Sequence, residues 1–132
     1  MRKRPGRETQ TQEDYLERIH ELMEEKGFAR VSDIAAELKL KHPTVTAMVQ
    51  QLSKLGYLNY QKYRGFSLTA KGLKVAKNIK ARHNLLTEFF LQLRVDPKTV
   101  AQDVEGIEHH ISNSSLTGIK KLIAHLRKHP LS

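Results

Sequence analysis

The stretch that decides the fold is residues 32–68, which read SDIAAELKLKHPTVTAMVQQLSKLGYLNYQKYRGFSL. It holds two short amphipathic segments joined by a tight polar connection, and Pro43 stands in the first turn of the second, where a missing N–H costs nothing. Gly56 ends that segment. Beyond it, aromatic and apolar residues alternate with polar ones around a break at Arg64-Gly65, which is typical of a short β-hairpin. Two short helices, a tight turn between them and a hairpin together predict a winged helix-turn-helix.

Helices are predicted on both sides of this stretch, so the chain is expected to be mainly α. Apolar residues recur with the helical period before Gly27, which ends the first helix. Ser32 is the expected N-cap of the second helix, and Thr69 can cap a long helix after the hairpin. The predicted helices lie at residues 11–26, 33–39, 43–55, 70–93, 98–111 and 114–129.

Length and composition limit the classes of protein to which this chain can belong. The chain has 132 residues and no cysteine, which excludes disulfides, thiolate zinc sites and cysteine nucleophiles. There is no apolar run long enough to span a membrane, and the basic amino terminus lacks the apolar stretch of a secretory signal. We therefore expect a cytoplasmic protein that does not associate with membranes and holds any metal through oxygen and nitrogen.

Positive charge is concentrated in one region. Between Ala36 and Arg82 there are ten Lys and Arg residues against a single acid, Glu37, which accounts for the whole net charge of +9. The rest of the chain is balanced. Such localisation predicts an anionic partner, most simply nucleic acid, although the later lysines also suit an ordinary solvated helix.

The second helix of the helix-turn-helix motif is the expected DNA-reading element. Its first turns offer small hydroxyl and methyl side chains that suit close approach to base edges, and Gln50 is an amide that can face adenine. Basic residues at the flanks and at the tip of the hairpin would contact phosphates. The predicted contacts to double-stranded DNA are Lys39, Lys41, Pro43, Thr44, Thr46, Ala47, Gln50, Lys62 and Arg64.

A second constellation lies in the run Asp103-Val104-Glu105-Gly106-Ile107-Glu108-His109-His110. On a helix, Glu105, Glu108 and His109 would share one face, and two carboxylates with an imidazole suit a divalent ion such as manganese. The same spacing also occurs on plain solvated helices.

Two further groups of polar side chains could join this face, although each also has an ordinary explanation. Asp14 and Glu17 lie one turn apart in the first helix and can be simple surface acids. His83, between Ile79 and Leu86, can be a satisfied core histidine.

From Thr11 onward the chain resembles the diphtheria toxin repressor family, and within it the shorter manganese transport regulator branch. The resemblance rests on several motifs in the same order. They are Glu13-Asp14-Tyr15-Leu16-Glu17, Ala29-Arg30-Val31-Ser32-Asp33-Ile34-Ala35, His42-Pro43-Thr44-Val45-Thr46, Tyr63-Arg64-Gly65, Arg82-His83 and the run from Asp103 to His110.

The resemblance implies a domain plan and a binuclear metal site. It implies a winged helix-turn-helix DNA-binding domain at residues 11–70 and a helical metal-binding and dimerisation domain at residues 71–132, after a basic disordered tail at residues 1–10. Iron-sensing relatives carry methionine and cysteine where Asp14 and Glu105 stand, so oxygen at both positions favours manganese. The implied ligands of two Mn²⁺ ions per subunit are Asp14, Glu17, His83, Glu105, Glu108 and His109.

The expected function is that of a manganese(II)-responsive transcriptional regulator. It would repress metal uptake genes by binding operator DNA as a metal-loaded homodimer. One alternative is a winged-helix regulator that responds to another divalent metal, such as iron or cadmium, or to a small ligand. A di-metal carboxylate enzyme is the other alternative, but the sequence offers no nucleophile motif, phosphate loop or spare acid/base pair for it. The chain is therefore not expected to be an enzyme.

Overall fold

The structure, a computed structural model, describes residues 8–61 and 65–132 of the chain. It contains six helices and a two-stranded antiparallel sheet within these residues, so the prediction of a mainly α chain is confirmed. The helices are α1 (Gln10–Lys26), α2 (Val31–Leu38), α3 (His42–Lys54), α4 (Ala70–Gln92), α5 (Pro97–Ile107) and α6 (Asn113–Lys128), and the strands are β1 (Leu58–Gln61) and β2 (Gly65–Leu68). The chain divides into two compact units after Lys77, inside α4.

The N-terminal unit has the order expected of a winged helix-turn-helix. Its core is formed by the apolar faces of α1, α2 and α3 with side chains of the hairpin, and Leu16, Ile19, Ile34, Val45 and Leu52 are fully buried. Each helix contributes residues at helical spacing, which is how an amphipathic helix covers a core. The core therefore fixes which face of α3 remains exposed.

The hairpin is joined to the segment that precedes α2. Leu58 pairs with Leu68, and Tyr60 with Phe66, in the antiparallel register. Phe66 also exchanges backbone hydrogen bonds with Ala29, at 2.9 and 3.3 Å. Gly65 has a φ of +87°, and a Cβ there would lie 2.2 Å from the carbonyl oxygen of Ala29. Glycine is therefore required where the wing approaches this backbone.

Helix α2 begins two residues before its predicted start. Val31 is its first residue and Arg30 its N-cap, so the expectation that Ser32 caps the helix is wrong. The reason is Asp33, whose carboxylate accepts a hydrogen bond from the backbone N–H of Arg30 at 3.2 Å. This satisfies a donor at the helix start that would otherwise have no partner. Lys39 follows the helix in the left-handed conformation, with φ +56°.

The start of α1 also differs from expectation. Thr9 is its N-cap and forms a reciprocal capping box with Gln12, and Glu8 accepts a hydrogen bond from the Tyr57 hydroxyl at 2.7 Å. Residues 8–10 therefore belong to the folded part, contrary to the predicted tail of residues 1–10. The remaining seven residues of that tail lie outside the described residues.

The C-terminal unit packs α5 and α6 with the later part of α4. Its core includes Leu86, Val100, Val104 and Leu116. Glu88 of α4 forms a forked ion pair with Arg127 of α6, with Nε of Arg127 at 2.7 Å from a carboxylate oxygen. The guanidinium beside it lowers the pKa of the Glu88 carboxyl. In the described part of the chain, no helix combines the length and apolar character needed to cross a bilayer.

Helix α5 ends earlier than predicted, which changes where two candidate ligands lie. The sequence predicted a helix from residue 98 to 111, but the last helical residue is Ile107 and Glu108 is the C-cap. His109 and His110 continue in tighter turns, donating to the carbonyls of Gly106 and Ile107. Glu108 and His109 thus do not share a continuous helix with Glu105, because the chain leaves α5 to reach Ser112, the N-cap of α6.

Candidate metal centre and nucleic-acid interface

The exposed face of α3 carries the side chains predicted to read DNA. Val45, Val49 and Leu52 are buried, which turns the opposite face of the helix to the surface. The predicted contacts on that face are exposed: Pro43, Thr44, Thr46, Ala47 and Gln50. Small side chains at the start of an exposed helix allow close approach to the major groove.

Of the four basic residues predicted to contact phosphates, two lie within the described part of the chain. Lys39 and Lys41 are both exposed and flank the short connection between α2 and α3, where Lys41 is the N-cap of α3. Lys62 and Arg64 lie outside the described residues, so their contacts stay a prediction. An exposed helix with a lysine on its N-cap presents backbone N–H groups and positive charge together, an arrangement suited to phosphate.

The C-terminal unit brings together three of the six predicted metal ligands. Nδ1 of His83, on α4, lies 2.7 Å from Oε2 of Glu108, which follows α5. Nε2 of His109 lies 3.5 Å from the other oxygen, Oε1, of the same carboxylate. One carboxylate thus faces a different imidazole with each of its oxygens.

The Glu108 carboxyl is in an unusual electrostatic position. Glu108 and His109 are fully buried, whereas the His83 side chain keeps about a third of its surface exposed. Burial raises the pKa of the Glu108 carboxyl, the hydrogen bond and charge of His83 and the charge of His109 lower it, and the charge of Glu105 raises it further. Because desolvation is the largest of these effects, the charged form of Glu108 is held at a cost in free energy.

These residues fit a divalent cation. Oε1 of Glu108 is buried and accepts no hydrogen bond from any described residue. The carboxylate of Glu108 and the imidazoles of His83 and His109 offer the oxygen and nitrogen donors that divalent ions such as Mn²⁺ accept. A cation would accept a lone pair from this buried oxygen, which otherwise carries an uncompensated desolvation cost.

The other three predicted ligands are more accessible. Glu105 is exposed on α5, one turn before Glu108. Asp14 and Glu17 lie one turn apart on α1 of the N-terminal unit, and both are half-buried. In the same helix Glu21, Glu24 and Glu25 are exposed, whereas Glu13, which was not predicted as a ligand, is buried.

One buried residue close to Glu108 and His109 could not be assigned a role from sequence patterns. Arg82, only 9% exposed, takes a position on α4 that the helical period assigns to the core, between Ile79 and Leu86. Its guanidinium donates hydrogen bonds to the segment that carries Glu108 and His109. The signal in the sequence was a charged residue on an otherwise apolar helical stripe, directly before the candidate ligand His83.

Comparison with known proteins gives two successive family matches along the chain. Residues 8–66 match the family described as "Iron dependent repressor, N-terminal DNA binding domain". Residues 69–132 match "Iron dependent repressor, metal binding and dimerisation domain". The two matches together cover nearly all of the chain.

Individual relatives are similar over most of their length. The HTH-type transcriptional regulator MntR of Shouchella clausii is 50% identical over 120 residues, which cover 91% of this chain and 84% of that protein. The regulator of the same name from Bacillus subtilis is 48% identical over 120 residues, with the same coverage. Among solved structures, that of the manganese regulator SloR is 27% identical and superposes with a TM-score of 0.74 over 86% of this chain. This chain spans 53%, about half, of the SloR chain.

Proposed function

The chain belongs to the iron-dependent repressor family, and from this we propose that it is a manganese(II)-responsive transcriptional repressor that binds operator DNA as a homodimer. The single observation that carries the proposal is the buried carboxylate of Glu108, with an imidazole against each oxygen. Its relatives at about half identity carry the name MntR, and SloR is described as a manganese regulator. We take the winged helix-turn-helix domain to be residues 11–70 and the metal-binding and dimerisation domain to be residues 71–132.

The choice of manganese follows from the donor atoms. The proposed ligands are Asp14, Glu17, His83, Glu105, Glu108 and His109, which provide four carboxylates and two imidazoles. The chain has no cysteine, so no thiolate can favour a softer ion. Carboxylate, imidazole and water are ligands that Mn²⁺ accepts in octahedral geometry. When bound, the ions supply positive charge that neutralises the four carboxylates.

Two ions per subunit are part of the proposal. Glu108, with an imidazole near each of its oxygens, would help to hold both ions together with His83 and His109. The geometry around Glu108 supports this assignment, with His83 beside Oε2 and His109 beside Oε1. Four carboxylates nearly balance the charge of two divalent ions, so the loaded site would be close to neutral.

The proposed mechanism couples metal to DNA through ligands that belong to both domains. Asp14 and Glu17 are on the first helix of the DNA-binding domain, and the other four ligands are in the second domain. Shared coordination by these residues would restrict the DNA-binding domain relative to the dimerisation domain. In a homodimer this restriction would hold two recognition helices at the spacing of successive major grooves, ~34 Å or a multiple. Metal affinity and operator affinity would then reinforce each other reciprocally.

The experiment that tests the metal assignment is direct counting of bound ions. Titration of the metal-free protein with Mn²⁺, followed by calorimetry and by the EPR signal of free Mn²⁺, should give two ions per subunit. A count of one would contradict the binuclear site. No binding above that of a Glu108→Gln variant would contradict the manganese assignment as a whole.

Iron is the second candidate, since the matching families are described as iron dependent. The two candidates are separated by a metal series with the parent and Glu105→Cys, at fixed pH and salt. Because a thiolate is softer than a carboxylate, the variant should shift its preference from Mn²⁺ toward Fe²⁺ or Zn²⁺. Unchanged metal preference would argue against Glu105 as a ligand.

A further inference from the structure

We propose that Arg82 is a positioning residue of the metal centre, which fixes the backbone of residues 108–113 so that Glu108 and His109 are presented to the cation. This inference rests on the proposed metal-dependent function. It concerns a side chain that is not itself a ligand. All the residues that carry it belong to the C-terminal unit.

The contacts of Arg82 converge on the connection between α5 and α6. Nη1 donates to the carbonyl oxygen of Glu108 at 3.3 Å and to that of Ile111 at 2.6 Å. Nη2 donates to Oδ1 of Asn113 at 2.7 Å. A single guanidinium on α4 therefore binds the C-cap of α5, the turn that follows, and the first residue of α6.

These bonds satisfy acceptors that the ends of helices leave open. The last carbonyls of an α-helix have no partner within the helix, and a carbonyl buried without a partner costs free energy. Glu108 is fully buried, so water does not reach it. The forked, planar guanidinium can serve several acceptors in one fixed arrangement, which the single nitrogen of lysine cannot do.

Arg82 and His83 hold the same residue from two sides. Arg82 donates to the main-chain carbonyl of Glu108, and His83 contacts its carboxylate at 2.7 Å. Two consecutive residues of one helix thereby define both the backbone position of Glu108 and the direction of its side chain. His109 follows directly, so its ring position depends on the same backbone.

Charge alone does not account for an arginine at this place. A positive charge close to a cation site opposes cation binding by Coulomb repulsion, and burial adds a desolvation cost. An arginine that is 9% exposed here must therefore contribute through its hydrogen-bond geometry. Residues that orient metal ligands typically change metal affinity by 10–100-fold when they are replaced.

The test is Arg82→Lys, which keeps the charge and removes the fork. A matched control is Arg94→Lys in the same unit, because the Arg94 guanidinium also donates to a main-chain carbonyl, that of Leu131, at 2.8 and 3.2 Å. Two quantities are measured on the full chain. They are Mn²⁺ affinity by calorimetry and, without metal, hydrogen exchange of the amides of residues 108–113.

We expect Arg82→Lys to bind Mn²⁺ about tenfold or more weakly than the parent and Arg94→Lys to bind like the parent. In the metal-free Arg82→Lys protein, exchange should rise in residues 108–113 and stay unchanged in α1–α3. Parent-like Mn²⁺ affinity in Arg82→Lys would overturn the proposal, as would weaker binding with unchanged exchange in that segment. If the parent itself does not bind Mn²⁺, the proposed function fails instead, and the exchange data still decide whether Arg82 orders the segment.

Asn113→Ala provides a second variant in case Arg82→Lys does not fold. It removes one of the three acceptors and leaves the guanidinium in place. It should weaken Mn²⁺ binding in the same direction but less. Combined with Arg82→Lys in a protein that folds, it should add little, because both changes break the same bond. Full additivity of the two effects would overturn the shared role.

Discussion

At the scale of single residues, Glu108 matters most because burial and its neighbours shift the pKa of its carboxyl in opposite directions. Burial raises its pKa, whereas His83 and His109 lower it. Of its two oxygens, only Oε2 has a hydrogen-bond partner within the described residues, the His83 imidazole, while Oε1 is buried without one. We therefore expect the metal-free protein to be locally destabilised at Glu108, and a bound cation to remove this destabilisation.

Glu108→Gln should separate metal binding from folding. The amide has nearly the same shape and carries no charge, so the metal-free variant should unfold at the same temperature as the parent or slightly higher. With free Mn²⁺ at a hundred times Kd, each bound ion should stabilise the parent by about 2.7 kcal/mol, and the variant should be unchanged. Thermal unfolding with and without Mn²⁺ measures both effects.

Glu88→Gln is the control for this comparison. It also removes a carboxylate from the C-terminal unit, but one that pairs with Arg127. Its metal-free form should be less stable than the parent, while its response to Mn²⁺ should equal that of the parent. A variant Glu108→Gln that keeps the full Mn²⁺ response would contradict the proposed ligand role.

Helical spacing at the candidate site could be predicted from the sequence, but the burial of its side chains could not. Spacing placed Glu105, Glu108 and His109 together, yet the structure buries the last two and leaves Glu105 exposed. That difference arises because the helix ends at Ile107, which depends on the route of the chain toward α6. Arg82 remained without a role because its acceptors are 26 to 31 residues away in the sequence.

At the scale of elements, the beginning of α4 is held against the wing by a close backbone approach at Gly72. A Cβ at this position would lie 2.2 Å from the carbonyl oxygen of Tyr57, which is main chain and cannot rotate away. Thr69 adds to the junction, accepting a hydrogen bond from Gly72 N–H and donating one to the carbonyl of Gly56 at 2.6 Å. The first turn of α4 therefore belongs structurally to the DNA-binding half.

Gly72→Ala should destabilise the protein by about 1–3 kcal/mol, the usual range for a group forced into a packed site. Gly118→Ala on α6 is the control, since a Cβ there meets no described atom within 4 Å. Alanine is the better helix former, so the control should be neutral or more stable by up to about 1 kcal/mol. Chemical unfolding of both variants measures the difference, and equal stabilities would contradict the close approach.

The order and type of the elements could be predicted because each has a local signal. Apolar periodicity, Pro43 in the first turn of α3 and the cap Thr69 are all readable in sequence, and Thr69 does cap α4. The predicted helix starts were wrong where a different side chain caps the helix. Asp33 moved the start of α2 to Val31, and the capping box of Thr9 extended the fold into the predicted tail.

At the scale of the whole molecule, positive charge is concentrated in one region of the chain, and the proposed metal ligands lie outside that region. The excess of basic residues lies between Ala36 and Arg82, and the exposed face of α3 lies within that region. Replacing Lys41 with Gln should weaken binding to all duplex sequences alike and lower the salt slope by about one unit. Glu37→Gln is the control in the same region and should not lower the slope. An unchanged slope for the Lys41 variant would remove this residue from the interface.

Whether metal binding controls DNA binding is tested most directly by measuring the affinity for DNA with and without Mn²⁺. A duplex selected from a random pool by the Mn²⁺-loaded protein serves as probe, at fixed pH and salt, with Glu108→Gln measured in parallel. We expect Mn²⁺ to tighten DNA binding by the parent at least tenfold and to leave DNA binding by the variant unchanged. Equal affinity of the parent in the presence and absence of Mn²⁺ would contradict this expectation.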